Sequence, residues 1–296
     1  MIHRRGLFAL FAMLLTAALL PAPAAAKDFA STRITVAVEG QGKDVILIPG
    51  LSSSPRVWKE MIAAVPGYRY HLVQVHGFAG TPAGGNAEGD VAASVAEDVA
   101  RYIAEQKLGS VAVIGHSMGG TMGMMLAARH PASVSRLLVV DMLPFMGALF
   151  GNADATPTTL KPIADYLYNQ SRAATPEARD KQLTGIITAM VNSETMRAGA
   201  LEDARKSDPE VTARAYRDLI LTDLRPELPR ITARTTILYI TPKGVTVNDA
   251  QVDALYQSAF AGLKGAVLKR VPNSAHFIMW DNAPFFQSEV KAFLTD

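Results

Sequence analysis

Apolar residues along the chain fall into two alternating patterns. DVILIPG (44–50), SVAVIG (110–115), VSRLLVVD (134–141) and TTILYI (235–240) are short, almost uninterrupted apolar runs rich in β-branched residues. Strands buried on both faces of a sheet read this way. SPRVWKEMIAAV, VAASVAEDVARYIAEQKLG, MGGTMGMMLAARH, NDAQVDALYQSAF and APFFQSEVKAFL instead repeat their apolar residues at helical spacing, the second of them ending at Gly109. STRITVAVEG reads as an edge strand or hairpin, YRYHLVQVHG as a further strand and AVLKRVP as the last one, with the Gly/Pro-rich GFAGTPAGGNAEGD as a loop. Strands separated by helices predict an α/β architecture with a mostly parallel central sheet flanked by helices.

Two segments depart from this rhythm. Residues 142–230 keep helical spacing but hold no convincing strand, and Pro157, Pro162, Pro226 and Pro229 punctuate them. They are expected to form an all-helical insertion between two strands, a cap on a core made of residues 27–141 and 231–296. Residues 1–26 carry His3, Arg4 and Arg5, then an apolar run from Gly6 to Leu20, then Pro21 and the alanines before Lys27. The run falls short of the roughly 20 apolar residues a membrane span needs, and its A-x-A ending matches a cleavage site. The expectation is a secretory signal peptide cut after Ala26, a periplasmic or secreted mature protein, and no stable membrane anchor after cleavage. Arg4-Arg5 leaves both the general and the twin-arginine export routes open.

Charge and composition narrow the function. Without Arg4 and Arg5 the mature chain has 27 basic residues against 27 acidic ones. A neutral balance argues against a nucleic-acid or anionic-membrane partner. There is no cysteine, so disulfides, thiolate metal sites and a cysteine nucleophile are excluded, and the core must carry the stability.

The candidate chemistry begins at VAVIGHSMGGTMGMM. Gly115-His116-Ser117-Met118-Gly119 is a G-x-S-x-G run between a predicted strand and a predicted helix. In that context the serine sits on a sharp turn that lifts its hydroxyl above the carboxyl end of the sheet, with a helix N-terminus behind it to favour an oxyanion. With GHSMGG, the glycine loop LIPGLSSSPRVW and the C-terminal VPNSAHFIMWDNAPFF, the chain resembles the α/β-hydrolase superfamily from about residue 34 to 294. The resemblance implies the α/β-hydrolase fold, with the cap inserted after the sixth strand of the family's sheet, and a nucleophile–acid–histidine order. His276 then stands where the family carries its base. His71, His76, His116 and His130 read as structural. The oxyanion donors implied are the backbone N–H groups of Met118 and Leu51, with Pro49 where the family usually has histidine. His76-Gly77-Phe78 spells a similar H-G-x but follows the next strand, and reads as a structural turn.

The acid is less plain. After TTILYI, family members often place an Asp in the loop, but residues 241–247 contain none. Asp141, at the end of LLVVD, occupies the position used by some members, haloalkane dehalogenases among them. Asp249 is the alternative, although with Asn248 it falls where a helix begins. Another residue or a Ser–His dyad is also open. Asp281 follows His276 closely and reads as a cap on the last helix.

The expected activity is that of an exported serine carboxylesterase acting on a small-molecule hydrophobic ester, with no cofactor or metal. Phe145, Met146, Leu149 and Phe150, in MLPFMGALF, are candidate substrate contacts, or else pack the cap onto the core. Amide, lactone or C–C hydrolysis and cofactor-free perhydrolysis would use the same residues. An aminopeptidase would need cap acids such as Asp154, Asp165 or Glu202. A non-catalytic ligand-binding protein on this fold is the reading from another class.

Overall fold

The computed structural model describes residues 29–150, 155–244 and 246–295. The expected leader (1–26) and Asp154 lie outside the described residues.

Seven strands form one sheet: β1 (Ile34–Gly40), β2 (Lys43–Ile48), β3 (Tyr68–Val75), β4 (Val111–His116), β5 (Val134–Val140), β6 (Arg234–Tyr239) and β7 (Val267–Arg270). Their spatial order is β1-β3-β2-β4-β5-β6-β7. β1 runs antiparallel to β3 as an edge strand, and every other pairing is parallel. The uninterrupted apolar runs have a simple cause. In β2, Ile46 and Ile48 point into one core, with α2 (Val91–Glu105), α3 (Met118–Arg129) and α8 (Asp249–Ala259). Val45 and Leu47 point into the other, with α1 (Lys59–Ala64) and α10 (Ala283–Thr295). All four are fully buried, each contributing about 1.5–3 kcal/mol of apolar transfer.

Helix limits follow local chemistry. α2 starts at Asp90, whose carboxylate accepts from Ala93 N–H, and its buried residues recur as Val91, Val95, Val99 and Ile103. It stops at Glu105, short of Gly109, because the chain turns left-handed at Lys107 (φ 56°) and Gly109 (φ 74°). α8 begins with a capping box between Asn248 and Gln251, which puts Asp249 in its first turn.

Between β5 and β6 the described residues form helices α4 (Pro157–Ala173), α5 (Pro176–Met190), α6 (Glu194–Lys206) and α7 (Pro209–Leu221), with short 3-10 turns and no strand. Thr156, Thr175 and Asp208 cap α4, α5 and α7 through their side chains, each followed by proline at the first helical position, where a missing N–H costs nothing. This helical segment lies against the loops that leave the carboxyl ends of the strands. Ser52 and Thr212 share a hydroxyl hydrogen bond of 2.9 Å. Asp203 accepts from the backbone and hydroxyl of Ser54. Ser207 accepts from Ala79 N–H, and Asp208 N–H donates to Gly77 O. His76-Gly77-Phe78 is thus a turn that seats α7, with Phe78 fully buried.

Candidate active site

Strand register assembles the site. Gly115 of β4 pairs with Ile48 of β2, and His116 with Val140 of β5. The residues just beyond these strands, 50–51, 117 and 141, therefore lie side by side at the carboxyl edge. Ser117 N–H donates to Val140 O at 2.9 Å, and Asp141 N–H to Leu238 O at 2.7 Å.

Ser117 sits at φ 54°, ψ −124°, a conformation that costs a non-glycine residue about 1–3 kcal/mol. The turn is possible because α3 comes in directly over the end of β2. A Cβ on Gly119 would meet the carbonyl oxygen of Ile48 at 2.1 Å. The loop after β2 approaches equally closely, since a Cβ on Gly50 would stand 2.9 Å from Ser117 Cβ. Leu51 N–H and Met118 N–H flank this contact. Among the described residues, no protein group accepts from either of them, so both remain available to an oxyanion.

His276 lies in the loop between β7 and the short helix α9 (Ile278–Asp281). Its Nδ1 is 2.6 Å from Asp141 Oδ2. Carboxylate oxygens only accept, so Nδ1 carries the hydrogen and the neutral ring keeps Nε2 as a base. Asp141 is itself left-handed (φ 52°), and its Oδ1 accepts from Ile240 N–H and from the Tyr256 hydroxyl, each at 3.3 Å. Burial above all, and then the Asp141 charge, pushes the Tyr256 phenol well above its ordinary range, which keeps it a neutral donor. His116 is fully buried beside the pair, its ring centre 4.6 Å from that of His276. Burial foremost, and the neighbouring His276, hold it well below the usual imidazole range. It is neutral and donates Nε2–H to His276 O at 3.1 Å.

The other expected residues fall elsewhere. Asp249 does not reach His276. Its carboxylate takes the Thr241 hydroxyl at 2.7 Å and Arg270 at 2.6 Å, on an exposed rim, because the capping box fixes it in the first turn of α8. Phe145 is buried within the helical segment with Leu160, Ala164 and Ile220, under the Arg225 guanidinium. Phe150 packs edge-on against Tyr216, and Leu149 is 61% exposed. Met146 packs against both the main core and that cluster. Phe145, Met146 and Phe150 thus pack in or against this cluster, while Leu149 is turned to solvent. Asp165 pairs with Lys161 and Arg217, and Glu202 with Arg56 and Lys206, so neither is presented to a substrate amine. Asp281 does not cap α10. Its carboxylate accepts from Ala275, Asn192 and Ser193 N–H groups. Asp203, buried against Ser54, had no sequence signal beyond being one of three acids in α6. Among the described residues no group of three or more His, Cys, Asp or Glu is arranged to hold a metal ion.

A hydroxyl on a strained turn, an imidazole oriented by a carboxylate and two free N–H donors are the parts needed for acyl transfer to serine. Known proteins agree with the architecture. The pimeloyl-[acyl-carrier protein] methyl ester esterase of Photobacterium profundum is 26% identical over 210 residues, 71% of this chain and 80% of that protein. That of Aeromonas hydrophila is 34% identical over 114 residues, 38% of this chain and only 43% of the relative's own length. The esterase EaEST of Exiguobacterium antarcticum superposes with a TM-score of 0.72 at 21% identity, over 89% of this chain and 96% of that one. The profile of the alpha/beta hydrolase family matches residues 45–287, and the chain belongs to that family.

Proposed function

We propose that the mature protein is an exported serine carboxylesterase that cleaves small to medium hydrophobic esters. The observation that carries this reading is the 2.6 Å contact between Asp141 and His276 at the edge where Ser117 occupies its strained turn. Ser117 Oγ attacks the ester carbonyl carbon while His276 Nε2 takes its proton. The carbonyl electron pair moves onto oxygen, where Leu51 and Met118 N–H groups meet it, each donor worth roughly 3 kcal/mol in the transition state. Collapse expels the alcohol, which leaves with the proton from His276. Water, deprotonated by the same imidazole, then attacks the acyl-enzyme and releases the acid and free Ser117. Asp141 holds the tautomer and stabilises the imidazolium.

Relatives named as esterases support the choice of an ester. Asp165 and Glu202 are each already paired with a cation. The test is turnover of p-nitrophenyl acetate and butyrate together with labelling by a fluorophosphonate. Wild type should turn over and label, and Ser117→Ala should do neither. A folded wild type that neither labels nor hydrolyses would overturn the reading and favour a ligand-binding role.

A further inference from the structure

The loop that carries His276 has no regular secondary structure from residue 272 to 277, yet the base must be held to tenths of an ångström. Its ties are specific. Ala275 N–H donates to Asp281 Oδ2 at 2.8 Å. His276 O accepts from His116. Phe277 N–H donates to Met190 O at 3.2 Å. Two of these three lead to the helical segment. Met190 is the last residue of α5, and Asp281 Oδ1 accepts from Asn192 N–H at 2.9 Å and Ser193 N–H at 3.0 Å in the α5–α6 junction. Lys243, in the loop that lacks an acid, adds its ammonium to Asn192 Oδ1 at 3.0 Å.

We propose that Asp281 is a positioning residue that joins the α5–α6 junction to the loop of the base, so that the helical segment sets where His276 stands. This rests on the reading of His276 as the base. A carboxylate suits the task because it is acceptor-only and offers two oxygens to three backbone donors. An amide has one acceptor and would turn a donor toward at least one N–H. Shifts of this size at a catalytic group lower turnover without weakening substrate binding to the same degree.

The experiment compares Asp281→Asn, Asp281→Glu and Ser193→Pro with wild type, each checked for folding by circular dichroism. Ser193 has φ −68°, which proline accepts, so that variant deletes one donor from the segment's side and leaves the histidine loop untouched. Asp281→Asn should lower kcat about 10- to 100-fold with KM within about twofold. Asp281→Glu should recover kcat to within about threefold of wild type, and Ser193→Pro should lower it about 3- to 10-fold. The low-field proton NMR signal of the His276 Nδ1–H bond to Asp141 should move or broaden in Asp281→Asn and in Ser193→Pro. An Asp281→Asn enzyme with unchanged kcat and proton signal would overturn the proposal, even with a lowered melting temperature. An effect of Asp281→Asn with none of Ser193→Pro would confine Asp281 to the loop and overturn the link to the segment. If wild type cleaves no ester, the esterase reading fails, and the proton signal still decides this proposal.

Discussion

Ser117 and Asp141 stand just past the ends of adjacent strands, and both have positive φ without being glycine. Each carries strain of about 1–3 kcal/mol, offset by backbone bonds to the next strand, Val140 for one and Leu238 for the other. Asp141→Asn keeps the shape but loses the charge and the tautomer it selects, so kcat on a p-nitrophenyl ester should fall about 10³-fold or more. Asp249→Asn should stay within about twofold, since its partners are Thr241 and Arg270. Equal losses in the two variants would remove Asp141 from its role. Asp141 stood out as a candidate in the sequence because it ends an apolar strand at a position some members of the family it resembles use for the acid, with Asp249 as the alternative. Asp281 did not. Locally it looks like a helix cap, and its partners Asn192 and Ser193 lie 89 and 88 residues away in the chain. Phe145 shows the same limit, since an apolar residue facing a ligand and one facing a helix have the same letter.

At the scale of elements, α7 packs against α2 with acids close to the seam. Burial, reinforced by the charge of Asp90, pushes the Asp218 carboxyl up to about 6, while Arg217 and Arg214 pull the other way. The unfolded value is about 3.9, so the folded state disfavours the ionised form. That penalty is absent below about pH 4, grows as pH rises through about 6, and is complete above it. Asp218→Asn should therefore raise the melting temperature at pH 8 by a few degrees, on the order of 1–2 kcal/mol, and leave it unchanged at pH 4. A gain equal at both pH values would assign the effect to something other than ionisation. The central strands were the most readable elements, because they are short, β-branched apolar runs bounded by turn residues. Helix ends were less so. α2 stops at Glu105 because Lys107 goes left-handed, a choice that a lysine does not announce.

For the whole molecule, the sheet divides the work between its edges. At the amino edge, Asp44, Arg69, His71 and Tyr102 form a closed network. Burial, ahead of the opposing Asp44 charge, lowers the His71 imidazole, which favours a neutral brace. The carboxyl edge carries the candidate site, and the helical segment lies across its loops. Among the described residues no helix is long and apolar enough to cross a membrane. If residues 1–26 are an export leader, the full chain expressed in a bacterium with a periplasm should be recovered there with a mass beginning at Lys27. Retention of residues 1–26 would make them an anchor instead. The helical character of the segment between β5 and β6 was visible from its missing strands, but its grip on the core was not, since Asp203 with Ser54 and Asp281 with Asn192 are long-range pairs. That grip constrains anyone who would change specificity by grafting a cap from a relative. A donor segment must present two backbone N–H groups where residues 192 and 193 now stand, or Asp281 is left short of partners beside the His276 loop. Chimeras spliced inside α4, upstream of that junction, keep the native seam, whereas those exchanging α5 and α6 import a new one and should lose turnover before they lose binding.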